Sequence, residues 1–144
     1  YKRQIDKLAN AGCRVSLFID PDPVQVAVSK ALGAAVVELH TGAYCEAHNA
    51  YHETKKNSEL ERLIASAAMA HQAGLEVHAG HGLCFETVQP VAAIEGMCEL
   101  NIGHFMIGEA IFEGLENVIR KMRGLIDAAD RSSLVSPELK SLEL

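Results

Sequence analysis

Short apolar runs alternate four times with helical segments, and this pattern limits the possible folds of the chain. The apolar runs occupy residues 13–19, 35–39, 75–79 and 99–102. Each run is followed by a turn and then by residues with helical periodicity, and a short and a longer helix are expected after the fourth run. This alternation predicts right-handed βαβ units and a parallel sheet.

The clearest helix boundaries follow the first run. Asp22 can cap a helix that begins at Pro23, and Gly33 can end it. The apolar residues of this segment that share one helical face are predicted to pack inward. They are Val24, Ala27, Val28 and Ala31.

A long loop is predicted after the second run. Residues 43–57 are rich in Tyr, His, Asn and Lys, and Ser58 with Glu61 matches a capping box at the start of a helix that ends at Gly74. Such a long loop is uncommon in a compact domain, so we expect a functional or partner-contacting segment here. The remaining helices are expected at 87–94, 105–112 and 115–126.

Two turns at predicted strand ends combine glycine with histidine. Gly80, His81 and Gly82 follow the third strand, and Gly103 and His104 follow the fourth. Glycine lets the backbone turn sharply and approach an anion, and histidine exchanges protons near neutral pH. The turns therefore predict a phosphate site with acid–base chemistry, and the simpler explanation is that glycine only permits the turn.

An open doubly wound sheet and a slice of a (β/α)₈ barrel both fit this α/β alternation. A phosphate site in the loops after the last two strands, followed by a short extra helix, favours the barrel. Four βα units are half of such a barrel, which typically has ~250 residues, and half a barrel has two unpaired edges. We expect residues 1–130 to belong to a single TIM-barrel domain and residues 131–144 to form a tail with the composition of a loop or disordered segment.

Composition argues against several classes of partner. The net charge is −6, and no basic cluster is longer than Lys55-Lys56, so neither nucleic acid nor a membrane surface is an expected partner. No apolar run approaches the ~20 residues of a membrane span. The chain begins at Tyr1 inside a predicted helix, so we expect a fragment of a longer protein. The widely spaced cysteines predict reduced, buried thiols of a cytoplasmic protein: Cys13, Cys45, Cys84 and Cys98.

Four strand-end motifs together resemble the C-terminal half of the pyridoxine 5′-phosphate synthase family. They are Phe18-Ile19-Asp20, Glu38-Leu39-His40-Thr41-Gly42, Ala79-Gly80-His81-Gly82-Leu83 and Glu99-Leu100-Asn101-Ile102-Gly103-His104. The resemblance runs from about residue 2 to 130. It implies a (β/α)₈ barrel with extra helices, assembled as a homo-octamer. We expect neither a metal nor a cofactor. The implied reaction condenses 1-deoxy-D-xylulose 5-phosphate with 3-amino-2-oxopropyl phosphate and gives pyridoxine 5′-phosphate, phosphate and water.

The resemblance also implies roles for matching residues. Glu38 would stabilise charged intermediates, and His81 would donate a proton. Gly82, Gly103 and His104 would contact the phosphate of the aminoketone substrate. The family's other general bases lie in the N-terminal half of the barrel, so we expect this chain alone to be inactive.

The residues themselves support these roles unequally. Glu38 interrupts an apolar strand, where an ionised carboxylate requires partners, and this favours a function. For His104, donation by the backbone N–H is a better interpretation than side-chain chemistry. His40 fits a barrel-interior position and a site position equally well. The others are interpreted as surface, packing or capping residues: His48, His52, His71 and Asp22.

Three other functions remain open. One is a different phosphate-binding barrel enzyme, an isomerase or lyase, although no strand-end lysine is present for Schiff-base chemistry. A second is a zinc hydrolase with His40, His81 and His104 as ligands. The third is a non-catalytic half-barrel that serves as an assembly module.

Overall fold

The computed structural model describes residues 1–129. The predicted tail at 131–144 and Asp130 lie outside the described residues. Within the described range the elements are α1 (Lys2–Asn10), β1 (Ser16–Ile19), α2 (Pro23–Leu32), β2 (Val36–His40), α3 (Gly42–Asn49), α4 (Glu53–Gln72), β3 (Glu76–Gly80), α5 (Val88–Ala92), β4 (Met97–Asn101), α6 (His104–Glu113) and α7 (Leu115–Asp127).

The strands form one parallel sheet in the order β1-β2-β3-β4, which confirms the predicted βαβ units. Strand order therefore follows chain order without a reversal. A doubly wound sheet would reverse at a switch point, whereas consecutive neighbours are the arrangement of a (β/α)₈ barrel. The described sheet is consistent with part of such a barrel, and its edge strands are β1 and β4.

The hydrophobic core lies between one face of the sheet and the helices. Val37 and Leu39 of β2 and Val77 and Ala79 of β3 are fully buried in it, together with residues of α4 such as Leu63. Because side chains alternate along a strand, the intervening residues lie on the opposite face. The polar side chains on that face include Glu38, Glu76, His78 and Glu99.

The boundaries of α2 are those the sequence predicts. The Asp22 carboxylate accepts hydrogen bonds from the backbone N–H groups of Val24 at 2.7 Å and Gln25 at 3.2 Å, and Gly33 is left-handed with φ 85°. The predicted buried face is wrong, since Val24 and Val28 are 70% and 49% exposed. This helix is apolar on more than one side, so its periodicity does not identify the stripe that packs inward, which is Val26 and Ser29.

The predicted loop at 43–57 is also wrong. Its residues form α3 and the first turn of α4, and Ser58 lies inside α4 rather than at its N-cap. The polar composition is misleading, because α3 is short yet buries Tyr44, Cys45 and Ala47. The true break is at Tyr51, whose φ is 54°, and the following helix begins without a side-chain cap.

The four cysteines are free thiols, and only part of the prediction about them is correct. Cys45 is buried and Cys84 is partly buried. Cys13 and Cys98 are exposed, because one lies before β1 and the other lies on the edge strand β4. Among residues 1–129, none of the helices has the length and apolar character needed to cross a bilayer.

Candidate active site

A pocket of about 500 Å³ lies at the carboxyl end of the sheet. Its lining comes from the ends of β1, β2 and β4, from the turn after β3 and from the start of α6. The structure brings together here all five site residues named from the sequence, Glu38, His81, Gly82, Gly103 and His104. The other lining residues are Phe18, Leu83, Asn101, Ile102 and Phe105.

Glu38 is held at the centre of the sheet. In the parallel register it pairs with Phe18 of β1 on one side and with His78 of β3 on the other. Its carboxylate extends over Gly80, where an added β-carbon would lie 2.5 Å from Glu38 Oε1. The strand therefore fixes the backbone of Glu38, and the missing side chain at position 80 leaves room for its carboxylate.

The Gly-His-Gly turn has an unexpected backbone. Left-handed conformations occur at His81, with φ 81°, and at Gly82, with φ 84°, whereas Gly80 has no positive φ. A histidine in this region costs of order 1–3 kcal/mol, which surrounding contacts must offset. The flanking glycines therefore have different functions, since Gly82 permits the turn and Gly80 makes space.

The side chain of His81 lies in an aromatic cluster. Its ring centroid is 4.8 Å from that of His40, and the His40 ring is 5.1 Å from Phe18 in an edge-to-face arrangement. His40 Nδ1 is 3.7 Å from a carboxylate oxygen of Asp20. His40 does not line the pocket, but its ring contacts that of His81, so His40 is a neighbour of the candidate site.

Helix α6 points its N-terminus at the pocket. Gly103 is its N-cap, no side chain caps the helix, and its first turn has no acidic residue. The N–H groups of the first residues of a helix have no partner within the helix, and the helix dipole favours an anion beside them. His104 and Phe105 therefore present backbone donors at the pocket wall. Phe105 is fixed by an edge-to-face contact with Phe85 at 4.8 Å between ring centroids.

A charged cluster lies on the same sheet face, on the side away from α6. His78 is 7% exposed, and its Nε2 lies 2.7 Å from Glu76 Oε1 while its Nδ1 lies 3.6 Å from Glu99 Oε1. Arg14 forms an ion pair with Glu76. The Arg14 guanidinium, and to a smaller extent His78, lower the pKa of the Glu76 carboxyl below its usual range.

Local sequence patterns do not identify several of these residues. Phe18 and Asn101 occur in strand-end motifs, but their convergence with Glu38 depends on the register, which one sequence does not provide. His78 lies in an apolar run without a turn signal, so no local pattern marks it. The three histidines interpreted as surface or packing residues do not line the pocket: His48, His52 and His71.

The zinc hypothesis gains no support from the geometry. Within residues 1–129, no group of three or more His, Cys, Asp or Glu side chains is arranged to hold a metal ion. His40 and His81 are close, but His104 is not joined with them in such a group.

The sequence of this chain is similar to proteins of a known family. Residues 1–128 match the family described as "Pyridoxal phosphate biosynthesis protein PdxJ". A relative from Caulobacter vibrioides, named pyridoxine 5′-phosphate synthase, is 58% identical over 123 residues, which cover 85% of this chain and 48% of the relative.

Two further relatives carry the same name. The protein from Roseobacter denitrificans is 55% identical over 125 residues, covering 87% of this chain and 50% of the relative. The protein from Zymomonas mobilis is 50% identical over 140 residues, covering 97% of this chain and 53% of the relative. The chain spans about half the length of these curated relatives. Since the family match extends over nearly all of the described residues, this chain belongs to the pyridoxal phosphate biosynthesis protein PdxJ family.

Proposed function

We propose that this chain supplies part of the active site of a pyridoxine 5′-phosphate synthase. The reaction would condense 1-deoxy-D-xylulose 5-phosphate with 3-amino-2-oxopropyl phosphate, and the products would be pyridoxine 5′-phosphate, phosphate and water. The observation that carries the proposal is the convergence of Glu38, His81, Gly82, Gly103 and His104 on one pocket.

The roles follow from the chemistry of each position. Ring formation from an amine and two ketones requires imine formation and repeated proton transfers. His81 is the proton donor, because its ring lies at the pocket on a turn that other residues restrain. Glu38 stabilises cationic intermediates through a carboxylate fixed on a strand.

Phosphate binding in this proposal depends on the backbone. None of the lining residues is lysine or arginine. Gly82, Gly103 and His104 would donate N–H groups to the phosphate of the aminoketone, assisted by the dipole of α6. A β-carbon on Gly103 would meet no non-neighbouring atom within 4 Å, so the fold leaves open space at this residue.

The relatives are about twice as long as the matched region, so the remaining catalytic groups would come from the part that this chain does not match. That part would pair with the edge strands β1 and β4. The same proposal includes small phosphorylated substrates as ligands, a homo-oligomer such as the octamer implied by the family resemblance, and a cytoplasmic location.

The test is an assay of the chain alone and of a complemented enzyme. We define the complemented enzyme as this chain co-expressed with the portion of the Caulobacter vibrioides relative that it does not match. We expect pyridoxine 5′-phosphate, identified by mass spectrometry, from the complemented enzyme and none from the chain alone. Phosphate binding without condensation in a stable complex would contradict the proposal and favour another phosphate-binding barrel enzyme.

A further inference from the structure

Thr41 connects the end of β2 to the turn that carries His81. It is the N-cap of α3 and is completely buried. Its backbone N–H donates to the Gly80 carbonyl at 2.9 Å. Its hydroxyl lies 2.7 Å from the Gly80 carbonyl oxygen and 2.6 Å from the His81 carbonyl oxygen, so one proton is shared between two acceptors.

These bonds act on the strained part of the turn. His81 has a φ of 81°, which a side-chain-bearing residue keeps only when its surroundings impose it. The hydroxyl of Thr41 restrains the Gly80 carbonyl, which precedes the His81 nitrogen, and the His81 carbonyl, which follows the His81 α-carbon. The direction in which the imidazole leaves the backbone depends on these two peptide groups.

Neighbouring residues are fitted to the same turn. A β-carbon on Gly42 would lie 2.5 Å from the His40 ring and 3.3 Å from the His81 ring. A β-carbon on Gly82 would lie 3.2 Å from the β-carbon of Cys45. The first turn of α3 and the Gly-His-Gly turn are therefore in close contact. Thr41 donates the short hydrogen bonds across this contact, whereas the Cys45 thiol lies 3.9 Å from the His81 carbonyl oxygen.

We propose that Thr41 is a positioning residue for His81, holding its backbone so that the imidazole reaches the reacting atoms. The catalytic part of this proposal rests on the proposed function. Thr41 itself does not line the pocket and would not touch the substrate. A merely structural role would be to satisfy the buried Gly80 carbonyl and the partly buried His81 carbonyl, and the experiment must separate this role from positioning.

The variants are Thr41→Val, which keeps the shape and removes the donor, and Thr41→Ser, which keeps the donor. Ser29→Ala is the control, because it removes another buried hydroxyl that bonds a carbonyl, at 2.8 Å from Gln25, inside α2 and away from the pocket. Urea unfolding of each variant gives the change in the free energy of unfolding, which measures the purely structural effect of the substitution.

In the complemented enzyme we expect Thr41→Val to lower kcat about tenfold to a hundredfold with little change in KM, since a displacement of ~1 Å can cost ~10²-fold. Thr41→Ser should restore most of the loss, and Ser29→Ala should leave kcat unchanged. When His81 is already replaced by Asn, adding Thr41→Val should have almost no further effect, because Thr41 acts through His81. If the reductions in kcat caused by the two single substitutions multiply in the double variant, the proposal is overturned.

A second measurement does not depend on activity. In the isotope-labelled chain, Thr41→Val should shift the NMR resonances of the His81 backbone and ring, while Thr41→Ser and Ser29→Ala should preserve them. Unchanged His81 resonances in Thr41→Val would overturn the positioning role even if the complemented enzyme were inactive. An inactive unsubstituted complemented enzyme with the expected resonance shifts would instead contradict the proposed function alone.

Discussion

The carboxylate of Glu38 fills the space that a side chain on Gly80 would require. An added β-carbon at Gly80 would lie 2.5 Å from Glu38 Oε1 and 2.8 Å from the carbonyl oxygen of Asn101. Atoms of neighbouring strands on both sides therefore prevent a side chain here. The glycine before His81 is explained by this close approach rather than by a left-handed backbone.

We predict that Gly80→Ala displaces Glu38 and moves β4. Overpacking of this kind typically costs about 1–3 kcal/mol, and we expect kcat of the complemented enzyme to fall at least about tenfold. The control is Gly124→Ala in α7, where an added β-carbon meets nothing within 4 Å. It should keep full activity and gain at most ~1 kcal/mol of helix stability. A Gly80→Ala enzyme with wild-type kinetics would show that the position of Glu38 is not critical.

The second prediction concerns the two proposed catalytic side chains. His81→Asn should lower kcat of the complemented enzyme by at least about 100-fold with KM nearly unchanged, on the usual scale of general acid–base catalysis. Glu38→Gln should act similarly, because it keeps the shape and removes the charge. Steady-state kinetics provide the check. A raised KM with unchanged kcat would make these residues substrate-binding groups and would contradict their catalytic assignment.

The third prediction tests the backbone phosphate site. Replacing Gly103 by Val places a branched side chain at the N-cap of α6, where the anion would approach. Loss of a helix-dipole interaction of ~1 kcal/mol corresponds to about fivefold weaker binding of 3-amino-2-oxopropyl phosphate. Lys55→Ala, at an exposed cation on α4, is the comparison. Calorimetric titration should show the larger effect for Gly103→Val, and equal effects would indicate that the phosphate binds elsewhere.

The fourth prediction concerns stability at alkaline pH. Burial raises the pKa of the Cys45 thiol from 9.0 to about 11. The unfolded chain then releases this proton at a lower pH than the folded chain, so the free energy of unfolding should fall between about pH 9 and pH 11. At ~1.4 kcal/mol for each pKa unit, Cys45 accounts for a fall of at most ~2.7 kcal/mol in the free energy of unfolding. Burial likewise raises the pKa of Tyr44 from 10.0 to about 12, so this residue adds a decline between about pH 10 and pH 12.

Urea unfolding measured from about pH 8 to pH 11 checks this prediction. Cys45→Ala should flatten the decline in the free energy of unfolding, because the buried ionisable group is gone. Cys98→Ala is the matched control, since that thiol is exposed, and it should keep the decline. The same slope in both variants would show that burial of Cys45 does not cause the alkaline loss.

Much of the candidate site can be predicted from local sequence. Runs with strand propensity, followed by turns and helical segments, require parallel strands whose carboxyl ends share one edge. This rule alone places His81 and Gly103 at the same edge of the sheet, and the pocket lining includes both. The Asp22 cap and the Gly33 end of α2 are predictable as well, because capping depends on residues close in the chain.

The errors have a common cause in contacts between distant segments. The segment 43–57 has the composition of a polar loop, but burial of Tyr44 and Cys45 against the rest of the protein stabilises α3. Val24 and Val28 have the periodicity of a buried face, but packing selects Val26 instead. Such choices depend on partners far away in the chain, so local propensity does not determine them.

The βα alternation, the parallel sheet and the motifs at the strand ends can be predicted from the amino-acid sequence, because they depend on periodicity and turn chemistry over a few residues. Packing in the folded chain determined that Glu38 extends over Gly80 and that Thr41 restrains the carbonyl of His81. It also decided that the histidine, rather than the glycine before it, adopts the left-handed backbone. The physical reason is that strand register and the direction of a side chain are set by hydrogen bonds and packing between segments about forty residues apart in the chain.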